Sequence, residues 1–172
     1  MRGVGSELPA AFLPGDVLIY PSSLVAWWEP AGIRSMFFAS DCDGKTLDGK
    51  LFPLPPLVFA VRDGNLMAWA LAEDRRPEPD SWLQLAPYWN VHSDDRVCRG
   101  TMPTPMTATI DKLPEWSRAF FASRFTGSNL GTQQCTPRRF HRLRRSLTGK
   151  KQFPVEYLIR KGTLREMLCA SR

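Results

Sequence analysis

Leu57-Val58-Phe59-Ala60-Val61-Arg62-Asp63-Gly64-Asn65-Leu66-Met67-Ala68-Trp69-Ala70-Leu71 reads as two β-strands folded back on each other. Asp63-Gly64 is the two-residue signal of a hairpin turn whose central residues must both take positive φ. Upstream, Pro53, Pro55 and Pro56 hold the approach extended, because proline steers its predecessor away from the helical region. Further out, Leu24 to Trp28 and Ile33 to Ala39 are aromatic and β-prone, and Glu29-Pro30-Ala31-Gly32 between them has hairpin chemistry. The expectation is an antiparallel four-stranded meander, with ordered structure beginning near Val17 and Ser40 to Lys50, rich in Asp, Gly and Lys, forming a loop.

Beyond the meander, Pro77, Pro79, Pro87, Pro103 and Pro105 block long helices from Ala72 to Thr109. Asp111 is suited to cap a helix with Pro114 in its first turn, and Leu113, Trp116, Ala119 and Phe120 keep helical spacing to about Phe125. Thr136-Pro137 opens a second helix with Phe140, Leu143 and Leu147 on one face, ended by Gly149. Phe153 to Ile159 stays open between strand and helix, and Thr163-Leu164-Arg165-Glu166 matches a capping box for a short last helix. Helices packed on an antiparallel sheet make the class α+β, with residues 1–15 as a flexible lead-in and 16–172 as the domain.

The bulk properties agree with a single globular core: 172 residues, 43% hydrophobic and 23% charged. No apolar run approaches the roughly 18 residues that span a bilayer, and the first twenty residues lack a secretory signal pattern, which suggests a cytoplasmic protein. Cys42, Cys98, Cys135 and Cys169 are scattered without a C-x-x-C pair, and the only histidines are His92 and His141, so no metal site is expected. The net charge of +6 is uneven. Pro137 to Arg172 holds eleven Lys and Arg against Glu156 and Glu166, a net +9, which leaves −3 on the remainder. A basic tail on a slightly acidic body implies an anionic partner, either an acidic protein face or nucleic acid.

One spacing points to chemistry. In Pro87-Tyr88-Trp89-Asn90-Val91-His92-Ser93-Asp94-Asp95-Arg96-Val97-Cys98 a thiol follows an asparagine by eight residues. A thiol that handles acyl groups needs a fixed amide donor for the oxyanion, and Asn90 on a loop can supply it. Asp94 or Asp95 could orient or deprotonate an incoming amine. Arg96 and Arg99 flank the thiol and would help it react if turned toward it. The bland readings are a buried structural thiol at Cys98, an Asx-turn at Asn90, and an exposed turn at Asp94-Asp95. Trp27, Trp28, Phe37, Phe38 and Phe59 are more economically core than a base-stacking platform.

Asn-x-x-x-x-x-x-Val-Cys after a proline-led strand pair resembles the active-site segment of ubiquitin-conjugating enzymes. More specifically, Trp27-Trp28-Glu29-Pro30, Arg34-Ser35-Met36-Phe37-Phe38, Pro55-Pro56-Leu57-Val58-Phe59, Arg76-Pro77, Ala86-Pro87-Tyr88-Trp89-Asn90-Val91, Val97-Cys98 and Phe120-Phe121-Ala122-Ser123-Arg124-Phe125-Thr126 resemble the PRTRC system protein B family. These are prokaryotic ubiquitin-conjugating-like proteins of plasmid-borne cassettes. The likeness runs from about Pro14 to the C-terminus. Two departures stand out: Tyr88-Trp89 replaces the His-Pro of classical conjugating enzymes, and Gly127 stands where the family has His.

The resemblance implies a ubiquitin-conjugating-like fold in which Cys98 accepts a ubiquitin-like protein as a thioester and yields it to an amine, with Asn90, Asp94 and Asp95 assisting. It implies no cofactor. Its implied partners are a ThiF-like activating enzyme and a small ubiquitin-like protein, with a JAB-type peptidase and a ParB-related protein in the same cassette. Arg138, Arg139, Arg142, Arg144 and Arg145 are read as a solvated face or as a docking surface for an acidic protein, rather than as a DNA reader. An inactive adaptor of the same fold and a DNA-binding plasmid-maintenance protein are the alternatives. Family members extend further at the N-terminus, so an internal start at Met1 with a missing subdomain is a further alternative.

Overall fold

The computed structural model describes residues 13–20, 23–42, 44–100, 102–126, 143, 145–147 and 149–169. In chain order the strands are β1 (Val17–Ile19), β2 (Leu24–Glu29), β3 (Gly32–Ser35), β4 (Phe37–Phe38), β5 (Leu51–Leu54), β6 (Leu57–Arg62), β7 (Asn65–Ala70) and β8 (Trp82–Leu85), then β9 (Arg124–Phe125) and β10 (Arg160–Thr163). Helix α1 (Leu113–Ala122) precedes β9, and α2 (Leu164–Cys169) follows β10. The main sheet has the order β1-β2-β6-β7-β8-β10, each neighbouring pair antiparallel.

The Asp63-Gly64 hairpin forms as the sequence indicates. Arg62 pairs with Asn65 across the turn, and Asp63 and Gly64 sit at φ 49° and 74°. The four-stranded meander does not. Strand β2 pairs with β6 along its whole length, Leu24 with Arg62 through Glu29 with Leu57, and not with the segment that follows it. Glu29-Pro30-Ala31-Gly32 leads the chain away, and β3 pairs instead with β5. Burial gives the reason. All of Leu57–Val61 is buried, whereas β3 has no buried residue, so β6 gains more from a central position.

Alternate residues of the central strands feed two cores. Val25, Trp27, Leu57, Phe59, Val61 and Ala68 face one side, where they meet Trp116, Ala119 and Phe120 of α1. Ala26, Val58, Ala60, Trp69 and Leu83 face the other, under Leu164 and Leu168 of α2. Trp27 Nε1 donates to Ser117 Oγ at 2.9 Å, which satisfies a buried indole and fixes α1 over β2.

Helix α1 departs from expectation at both ends. Asp111 lies in a 3-10 turn, Ile110–Lys112, and Lys112 holds the N-cap position without a side-chain cap bond. At the other end the helix stops at Ala122, because Ser123 turns extended and Arg124–Phe125 pairs in parallel with Phe37–Phe38. The last helix follows the capping box as expected: Thr163 N donates to Glu166 Oε2 at 2.8 Å, and Glu166 N to Thr163 Oγ1 at 3.3 Å. Leu143 and residues 145–147 are helical, with Leu143 and Leu147 in the main core and Gly149 at φ 78°. Phe140, Arg138, Arg139, Arg142 and Arg144 lie outside the described residues. Strands β8 and β10 have no counterpart in the sequence reading, and the ambiguous stretch before β10 contains a 3-10 turn, Val155–Tyr157. Among the described residues no helix is long and apolar enough to cross a membrane.

Candidate functional site

The segment that follows β8 is anchored by aromatic packing before it reaches Asn90. Tyr88 and Trp89 are each 1% exposed. The Tyr88 ring meets Phe120 of α1 at 5.0 Å and Phe125 of β9 at 6.2 Å, and Trp89 lies edge-on to Phe38 at 5.7 Å. Phe59 continues the chain of rings, 4.9 Å from Phe120 and 5.4 Å from Trp27. Sheet, helix and β4 thus fix the backbone at Asn90 from three directions.

From Asn90 to Cys98 the chain makes a narrow hairpin-like loop. Cys98 N donates to Asn90 O at 2.6 Å, Val91 and Val97 form an antiparallel bridge, and His92 N donates to Arg96 O at 2.8 Å. Asp95, at φ 71°, takes the left-handed conformation that closes the turn, and its N–H donates to His92 O at 3.0 Å. The returning limb docks on β7: Val97 N donates to Leu66 O at 2.8 Å, and Ala68 N to Asp95 O at 3.1 Å. One edge of β7 therefore carries both β8, at Trp69 and Ala70, and this loop, at Leu66 to Ala68. Val91 and Val97 are buried, and the next pair along is Asn90 with Cys98. Directly opposed residues of such a ladder lie on the same face with their Cβ atoms roughly 5 Å apart.

At this site Cys98 is exposed and unbridged. Asn90 is 7% exposed, and its Nδ2 donates to Ser123 Oγ at 3.1 Å, while Oδ1 is buried with no hydrogen-bond partner among the described residues. Ser123 Oγ in turn donates to Phe120 O at 2.7 Å, at the C-terminus of α1. The two aspartates differ. Asp94 is at the rim, tied to the Arg96 guanidinium at 2.6 Å. The hydrogen bond from the Arg96 side chain holds the Asp94 carboxyl below its ordinary value; burial opposes this, and the Arg96 backbone N–H adds to it. Asp95 is 1% exposed and paired with Lys161 Nζ at 3.1 Å, and Lys161 also donates to Ser93 O at 2.8 Å. Arg96 is thus committed to Asp94. Arg99 donates to Thr104 Oγ1 and lies over the Trp116 ring at 5.9 Å. Of the basic cluster, Arg145 is described and is exposed.

Two contributors were missed in the sequence reading. Ser123 lies within the Phe120 to Thr126 stretch but carries no local signal of its link to Asn90. Lys161 comes from β10, a strand with no apolar run to mark it. Among the described residues no group of three or more His, Cys, Asp or Glu could hold a metal ion.

A family model described as prokaryotic E2 family D matches residues 4–160. No curated protein and no solved structure matches the chain.

Proposed function

The chain belongs to prokaryotic E2 family D, a ubiquitin-conjugating-like family, and we propose that Cys98 is its acyl-carrying thiol. What carries this reading is the pairing of an exposed thiol with Asn90 through the 2.6 Å backbone bond, on a loop held rigidly by β7 and the aromatic core. In the first step Cys98 Sγ bonds to the C-terminal carbonyl carbon of a ubiquitin-like protein. The C–S bond to the activating enzyme breaks, and the Cys98 proton passes to the released thiolate. In the second step an amine nitrogen adds to the same carbon, Cys98 leaves, and the surplus amine proton goes to the departing sulfur or to solvent. Asn90 supplies the N–H donor for the oxyanion in both steps.

Asp94, partly exposed at the rim, is the carboxylate available to orient the amine, and Asp95, buried against Lys161, holds the shape of the loop. On this reading the partners are the ThiF-like activating enzyme and the small ubiquitin-like protein of a PRTRC cassette, with its JAB-type peptidase and ParB-related protein as neighbours. Arg138, Arg139, Arg142, Arg144 and Arg145, of which Arg145 is described and exposed, bring positive charge suited to an acidic partner surface.

The test combines the protein with activating enzyme already charged with the ubiquitin-like protein. The expected result is an adduct that reductant removes and that Cys98→Ala abolishes. No adduct from a charged activating enzyme, or one that survives Cys98→Ala, overturns the reading.

A further inference from the structure

We infer that Ser123 is a positioning residue: its hydroxyl acts as a rotor that sets the Asn90 carboxamide and so delivers an N–H to the oxyanion at Cys98, an inference that rests on the acyl-transfer reading above. In the observed setting the Ser123 hydroxyl gives its hydrogen to Phe120 O at 2.7 Å and accepts one from Asn90 Nδ2 at 3.1 Å. The other end of the carboxamide, Oδ1, is left buried without a partner among the described residues. An orphan acceptor on the residue paired with Cys98 does nothing for an oxyanion, which needs a donor.

Turning the carboxamide by half a revolution exchanges the two ends, and the last torsion of asparagine is broad and roughly two-fold. Ser123 then swings its hydrogen from Phe120 O to Asn90 Oδ1, and Nδ2 takes the place that Oδ1 had. Phe120 O is not stranded by this, because the Ser123 backbone N–H also donates to it, at 3.2 Å. The second setting has one hydrogen bond fewer, since Nδ2 gives up Ser123 Oγ, so at rest it is the minor one, above the first by about the net worth of a single hydrogen bond. A negative charge at the carbonyl bound to Cys98, the cross-strand neighbour of Asn90, selects the second, since hydrogen bonds to charged groups are roughly twice as strong as neutral ones. The hydroxyl is suited to this because it donates and accepts at once, with a freely turning hydrogen.

Single-turnover transfer onto and off Cys98 is measured for the wild type, Ser123→Ala, Ser123→Thr, Asn90→Ala and the Ser123→Ala/Asn90→Ala double variant. Ser123→Ala is expected to slow transfer about tenfold, less than loss of the donor itself, and to lower the melting temperature by no more than the loss of one buried hydrogen-bond partner does. Ser123→Thr, which keeps the hydroxyl, restores most of the rate, and Ser123→Ala adds nothing once Asn90 is gone. Full activity in Ser123→Ala, or a further loss in the double variant, overturns the inference. Should Ser123→Ala fail to fold, Ser123→Cys, with a weak donor on the same geometry, takes its place with the same expectations. A wild type that forms no thioester sinks the functional reading alone. The rotor is then decided by the Asn90 side-chain amide signals in NMR, expected to show exchange broadening that Ser123→Ala removes; sharp signals unaltered by Ser123→Ala overturn it.

Discussion

Gly44 shows how tightly a single position is set by its surroundings. Phe38 is 1% exposed and lies between Trp89 and Phe125, and a Cβ on Gly44 would fall among its ring carbons. The backbone there is ordinary, at φ −79°, so the requirement is for space and not for an unusual torsion. Gly44→Ala is expected to destabilise the fold by about 1–3 kcal/mol, as overpacking does, read from the urea midpoint; an unshifted midpoint would contradict the packing. Asp94 gives a smaller, pH-dependent effect. Its folded carboxyl titrates below the ordinary value of 3.8, so it adds stability above that value and loses it as pH falls through the folded one. With the side chain 39% exposed, the ion pair is worth less than about 1 kcal/mol. Asp94→Asn should therefore be slightly less stable than wild type near pH 7, with the gap closing as pH falls below the ordinary carboxylate range; a gap that persists in acid would show that Asn disturbs the loop by other means.

At the scale of elements, β10 and the Asn90–Cys98 loop are held together by the Lys161 to Asp95 pair, with a carboxylate almost fully withdrawn from water. Removing one partner of such a pair strands the other charge. Lys161→Met is expected to cost about 3–5 kcal/mol and to speed hydrogen exchange at the Asp95 amide, which closes the turn on His92 O. Adding Asp95→Asn to it should return much of the loss; no recovery would mean that Lys161 matters through its stem packing instead. The elements also divide in how far the sequence disclosed them. Local chemistry did so at the Asp63-Gly64 turn and at the Thr163 to Glu166 capping box, where every interaction lies within four residues. It failed at β8 and β10, since Arg160-Lys161-Gly162-Thr163 has no apolar alternation and becomes a strand only by pairing with Trp82 to Gln84. It failed again at the end of α1, where pairing of Arg124–Phe125 with Phe37–Phe38 overrides a helical pattern that runs on.

For the whole molecule, the decisive choice is which strand β2 joins. A hairpin with its sequence neighbour was the local answer, and the burial of Trp27 against Phe59 was the global one. Alternation reports which face of a strand is apolar but not which strand lies beside it, so the strand order could not be read from spacing alone. The same sheet explains the site. Both of its faces are covered, its β7 edge is shared between β8 and the Cys98 loop, and the thiol emerges from a frame with little freedom. Spacing alone singled out Asn90 and Cys98 as a pair, and the backbone bond between them is what that spacing encodes. What Asn90 leans on, Ser123 at the end of α1, depends on a contact 33 residues away and left no local mark.

The most direct measurement is the intact mass of the protein after incubation with a charged activating enzyme, for wild type and Cys98→Ser. The expected result is a gain of one ubiquitin-like protein less water on the wild type, released by reductant, and the same gain on Cys98→Ser as an oxygen ester that reductant leaves in place. No mass gain on either protein, or a reductant-sensitive gain that persists on Cys98→Ser, would contradict it.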